Sequence, residues 1–106
     1  MIDRAGRVKL LLQGDGSSPH NPELARRKAY TARTFQQTSA DWAKRTETTN
    51  AGQRQLTDVI PLGGGVPIIV GNEVIGAVGI SGANGGMPRE EACSKEGIAA
   101  IQGELS

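Results

Sequence analysis

Aromatic side chains are almost missing from this sequence: one Trp, one Tyr and one Phe stand against fifteen glycines. Aromatics normally carry much of the energy of a core, so Ile, Val, Leu and Ala must supply it here. A chain this poor in aromatic bulk is expected to complete its burial against a partner subunit. One cysteine, Cys93, excludes an intrachain disulfide. A single histidine, His20, shares no ligand spacing with that cysteine, so no metal site is expected. The net charge of +1 argues against dedicated binding of nucleic acid or an anionic membrane, which needs a clustered basic surplus. No apolar run approaches the roughly 18 residues that span a bilayer, and Met1-Ile-Asp-Arg is not a secretory signal, so a cytoplasmic location is expected. Repeats, linkers and low-complexity blocks are also missing, and residues 1–106 read as one domain.

What the chain does have is a pair of β-branched runs. Leu62-Gly-Gly-Gly-Val-Pro-Ile-Ile-Val70 and Glu73-Val-Ile-Gly-Ala-Val-Gly-Ile-Ser81 are separated by Gly71-Asn72, a joint that tolerates the positive φ of a tight hairpin. In the second run both alternating sets are apolar or lack a side chain. That predicts a central strand with something packed on each face.

At the front, Ile2-Asp3, a turn at Arg4–Arg7 and Val8–Leu12 read as strand, turn and strand, with the Asp3 carboxylate capping the turn before Gly6. The first arm is too short to pair well, so further residues or another chain are expected to cover that sheet edge. Asn21 and Pro22 then open a helix running to about Phe35, with Asn21 as its cap. Its apolar arc holds Leu24, Ala25, Ala29, Ala32 and Phe35, and Lys28 sits inside that arc. A buried ammonium needs a carboxylate partner or a ligand, unless it snorkels to water. Thr38 to Ala43 forms a second short helix that ends within Thr46–Asn50, and Gln53-Arg54-Gln55 reads as an exposed turn. Pro61 marks the entry to the sheet. A last helix is expected from about Arg89 to Leu105, with Glu90 and Glu91 in its first turn. Its sheet-facing arc is read as Cys93, Gly97, Ile98, Ala100, Ile101 and Leu105, with Gly97 allowing close packing.

Three features bear on chemistry. The loop from Gly79 to Gly86 offers free amides for an anion, but its spacing matches no phosphate-binding fingerprint and an ordinary turn explains it as well. Gly63, Gly64 and Gly65 before Pro67 let a backbone or a flat ligand come very close, or mark a bulge. Lys28, Tyr30 and Thr31 place a cation and two hydroxyls on one helix, and His20 is the sole imidazole.

Asp3-Arg-Ala-Gly6, Gly14-Asp15-Gly16, Arg27-Lys-Ala-Tyr-Thr-Ala32, Gly64-Gly-Val-Pro-Ile68 and Gly76-Ala-Val-Gly-Ile-Ser-Gly82 occur in order over nearly the whole chain. In these segments the sequence resembles the GlcG/HbpS-like family, the haem-degrading-like domain also found at the C-terminus of PduO-type proteins. The resemblance implies an α+β fold, a mainly antiparallel sheet of about five strands flanked by helices, fewer if the front is absent. It also implies homo-oligomers, and haem binding in some members. Carried over residue by residue, it points to Lys28 and Thr31, and to Gly64, Gly65 and Pro67 as a pocket wall. The chain departs from the family at the front, where an N-terminal helix and most of a first strand are missing, and Glu90 stands where Asp is commoner.

The leading expectation is a small oligomeric domain binding haem or a similar flat anionic ligand. Lys28 would offset a ligand carboxylate, Gly63 to Gly65 would allow its approach, and His20 or Tyr30 would reach the iron. An enzyme acting on a small hydroxy- or oxo-acid and a purely structural assembly subunit are the alternatives.

Overall fold

The computed structural model describes residues 1–12, 18–82 and 86–105, the last five (101–105) as backbone. Two strands form the expected hairpin, β2 (Gly65–Val70) and β3 (Glu73–Gly79), joined by Gly71-Asn72. Only Gly71 takes a positive φ, of 62°, which is the glycine-first arrangement of a type II′ turn. β1 (Ile2–Asp3) pairs antiparallel with the far side of β3, with Ile2 opposite Ala77 and Asp3 opposite Gly76. The order β1-β3-β2 makes β3 central, as its two apolar faces predict, and leaves Pro67 on an edge strand where its missing N–H costs no ladder bond. A register shift between Ile68 and Ile69 inserts an extra β3 residue and bends the ribbon.

The sheet has three strands among the described residues. Val8–Leu12 does not form the predicted second strand: Val8 makes one bridge to Ile2, and Lys9 and Leu10 donate their amides to the Met1 carbonyl. The Asp3 turn forms as expected, its Oδ1 accepting the amides of Ala5 (2.9 Å) and Arg7 (3.0 Å).

Helices cover both faces of the sheet, giving three layers. α1 (Asn21–Phe35) lies on one face. Its close fit depends on glycine: a Cβ on Gly65 would sit 2.1 Å from the Lys28 carbonyl oxygen, and one on Gly79 would sit 2.1 Å from that of Ala25. Asn21 is the first helical residue rather than the cap, and its Oδ1 accepts from the Ser81 hydroxyl at 3.3 Å. α2 (Ser39–Arg45) follows, capped by Thr38 Oγ1, which accepts the Asp41 amide at 3.1 Å. Trp42 is fully buried and stacks on Phe35 with ring centroids 4.9 Å apart.

The segment read as an exposed turn is a 3₁₀ turn over Ala51–Gln55 that pins α2. Gln53 Oε1 accepts from Trp42 Nε1 and from Arg45, each at 3.2 Å, and Arg54 donates to Thr46 Oγ1 at 2.8 Å. Polar composition made these residues look solvated, but the one buried indole N–H and the last turn of α2 both need partners.

α3 (Gly86–Leu105) packs on the opposite face, where Ile98 meets Val66 and Ile68. Its buried stripe is Glu90, Ser94 and Ile98, four residues apart. The predicted arc is therefore rotated, because two polar residues with hydrogen-bond partners take positions that hydropathy assigned to Cys93 and Ala100. A Cβ on Gly97 would have nothing within 4 Å, so this glycine is not in close contact with a described neighbour. The side chains of Ile101 and Leu105, and the Gly14-Asp15-Gly16 segment, lie outside the described residues.

Candidate functional site

Lys28 and the triglycine come together, as the sequence leads one to expect, but the space between them is filled by protein. The Lys28 ammonium is buried with Glu90, Nζ to Oε1 3.0 Å, and also donates to the Ile80 carbonyl at 3.2 Å. Gly64, at φ 127°, runs directly against this pair: a Cβ there would lie 3.1 Å from Lys28 Cδ and 3.3 Å from Glu90 Cβ. Ser94 Oγ donates to the Gly64 carbonyl at 2.9 Å. A lysine from α1, a glycine strand entry and two polar residues of α3 thus form one dry joint across the sheet. The anomalous lysine has found the carboxylate partner rather than an open slot.

The other residues singled out by sequence are dispersed. Thr31 is buried; its hydroxyl donates to the Arg27 carbonyl at 2.8 Å and accepts the Ile60 amide at 2.9 Å, which ties α1 to the strand entry. Gly65 donates its amide to Ser39 Oγ at 2.8 Å, and Gly63 packs between Ala40 and Met87. Pro67 pairs with Ala77 within the hairpin. His20 is exposed just before α1, its carbonyl accepting the Leu24 amide. The loop at Gly79–Gly86 falls partly outside the described residues, and its Gly82 rests against the Asn21 side chain.

Tyr30, of that set, lines a cavity. It closes over the front turn, where Gly6 at φ 79° leaves room for the ring: a Cβ there would be 2.7 Å from Tyr30 Cε2. Tyr30, Arg33, Thr34, Arg4, Ala5 and Gly6 line an open surface groove of about 240 Å³. Arg33 Nε donates to the Arg4 carbonyl at 2.9 Å, and Arg4 pairs with Glu73 at 2.9 Å, so the two guanidinium groups are held at its rim. A phenol beside two cations can coordinate a ferric ion and receive carboxylates. The arginines escaped sequence reading because they sit on the polar arc of α1 and in a turn, and their convergence depends on β1 docking beside β3.

A second, larger cavity of about 480 Å³ opens at the end of the sheet, walled by Leu10–Leu12, Ala25, Val78, Ile80 and Ile98. Its one basic side chain, Arg26, is already held by Glu23 and by Asp58 at 2.8 Å. Among the described residues no three His, Cys, Asp or Glu side chains gather as metal ligands, and no helix is long and apolar enough to cross a membrane.

No curated protein sequence matches this chain. Solved structures do. HbpS matches at 28% identity and TM-score 0.88 over 94% of this chain and 70% of its own, and a double mutant of HbpS from Streptomyces reticuli at 27% and 0.88 over 94% and 67%. A complex of PduOC with haem matches in fold, with TM-score 0.81 at 22% identity over 94% of this chain and 74% of that one. The model of the HbpS-like haem-degrading proteins matches residues 1–99. On fold and sequence together, the chain belongs to the HbpS-like family of haem-degrading proteins.

Proposed function

We propose that this protein is a small ligand-binding domain for haem or a related flat, anionic molecule, seated at the Tyr30 cavity. The observation that carries the reading is the donor set there. A phenol oxygen suits ferric iron, and Arg33, joined by Arg4 once it leaves its exposed pair with Glu73, suits the propionates; in the larger apolar cavity carboxylates hold Arg26 on two sides. Family membership and a haem-bound structural relative support the ligand class. Lys28, neutralised by Glu90, serves the fold in this reading rather than the ligand. Haem would supply redox or oxygen chemistry; the chain's own residues bind it, orient it and set how much water reaches it.

The cavity, at about 240 Å³, is smaller than the roughly 300–1,000 Å³ that encloses a drug-sized ligand, so part of the ligand's surface is left for a second copy to cover. This supports the homo-oligomer expected from the poor aromatic content.

Titration with hemin tests the site. The expected result is a saturable Soret shift that Tyr30→Phe weakens or changes in spectral type and that Arg33→Ala weakens by about tenfold. Lys28→Met combined with Glu90→Leu should leave it intact. No saturable shift in the native protein, or a shift indifferent to Tyr30→Phe, defeats the proposal.

A further inference from the structure

The two arginines of the Tyr30 groove are not equivalent. Arg33 is anchored through one nitrogen, its Nε donating to the Arg4 carbonyl at 2.9 Å, and its terminal amino groups have no partner among the described residues. Arg4 has its charge answered: a terminal amino group pairs with Glu73, the first residue of β3, at 2.9 Å. The backbone that carries Arg4 is fixed by the front turn. Asp3 Oδ1 accepts the Ala5 and Arg7 amides, and the Gly6 amide bonds to the Asp3 carbonyl at 3.0 Å.

Asp3 is committed to those amides and to Lys9, 3.6 Å from its Oδ2. Among the described residues no acidic side chain lines the groove itself. The acidic group that a ligand meets at Arg4 is therefore Glu73. A ligand carboxylate and Glu73 are the same kind of acceptor, and a guanidinium fork grips one planar carboxylate at a time. A first ligand carboxylate finds the end of Arg33 open, whereas a second reaches Arg4 only by displacing Glu73. Both members of that pair are more than half exposed, 55% and 64%, so the displacement is feasible and still opposes binding.

We infer that Glu73 is a specificity-determining residue of the groove: it occupies the seat of a second carboxylate, so the native site takes flat ligands with one carboxylate nearly as well as those with two. Selectivity is a difference of affinities, and here a built-in competitor narrows it. The inference rests on the groove being the seat of a flat anionic ligand and needs no iron contact at Tyr30.

The test is fluorescence titration with iron-free protoporphyrin IX, its monomethyl ester and its dimethyl ester. The native chain is compared with Glu73→Gln and with Glu96→Gln, which removes an exposed carboxylate from α3 and controls for net charge. In the native chain the diacid and monoester should bind within about twofold of each other, and the dimethyl ester at least about tenfold more weakly. Glu73→Gln should raise the preference for diacid over monoester to about fivefold, while Glu96→Gln leaves it at the native value. A preference that Glu73→Gln does not raise, an equal rise in both variants, or no saturable binding of the porphyrins overturns the inference. Hemin separates it from the haem reading. A Soret shift that needs Tyr30, in a chain whose diacid preference ignores Glu73, sinks the inference alone; a Glu73-dependent preference, in a chain whose hemin shift ignores Tyr30, sinks the iron seat alone.

Discussion

Single side chains hold this fold together across long sequence separations. Lys28 and Glu90 illustrate the asymmetry of buried charge: removing one partner leaves an uncompensated ion, whereas removing both leaves an apolar pair. Lys28→Met or Glu90→Leu alone should each destabilise by about 3–5 kcal/mol, and the double variant should recover most of that loss, as read by urea denaturation. Thr31→Val orphans the buried Ile60 amide and should cost about 1–3 kcal/mol, with a matching fall in Tm. Two carboxylates respond to acid. Asp3 is held below its ordinary value, first by the Arg7 amide, and Glu23 is held low by its hydrogen bond from Arg26. A depressed carboxyl stabilises the folded chain above its unfolded pKa, and that contribution disappears as pH falls through the folded value. The protection of the Arg7 amide against hydrogen exchange, relative to the unfolded chain, should therefore fall below about pH 4 and be flat from pH 5 to 8.

At the scale of elements, α1 and the hairpin approach so closely that glycine is required at the contact. Gly79→Ala would place a methyl 2.1 Å from the Ala25 carbonyl oxygen, and backbone cannot step aside as a flexible side chain can. The substitution should cost about 1–3 kcal/mol or more by overpacking, while Gly71→Ala, with open space around it, should cost only its positive-φ strain. Thermal denaturation of the two variants separates these causes. The elements themselves were legible where the signal is local: the β-branched runs around Gly71-Asn72, the Thr38 cap and the Pro22 helix start are each set by neighbours within a few residues. The α3 face was misread because hydropathy ranks Glu90 and Ser94 as solvated. Their partners, Lys28 and the Gly64 carbonyl, lie 62 and 30 residues away. Gln53 was misread for the same reason, since nothing near it in sequence announces a buried indole.

For the molecule as a whole, the scarcity of aromatic bulk and the exposed Leu10–Leu12 face describe a chain with more apolar surface than its own layers cover. A native-mass measurement should give an integral multiple of the chain mass, and Leu11→Glu, at an exposed position, should leave folding unchanged while reducing any association through that face.

The amino-acid order alone determined the hairpin, the existence of the helices and the family, because turn chemistry and side-chain periodicity act over short stretches of chain; the last helix starts at Gly86, earlier than the expected Arg89. The amino-acid order also marked Lys28 as needing a partner. Only the tertiary structure decided that the partner is Glu90 rather than a ligand, that Tyr30 borders a cavity, and that the triglycine is packed against Lys28 and Glu90. Those outcomes depend on which distant residues meet once helices close on both faces of the sheet, and desolvation gives each meeting its energy only after the layers are in place.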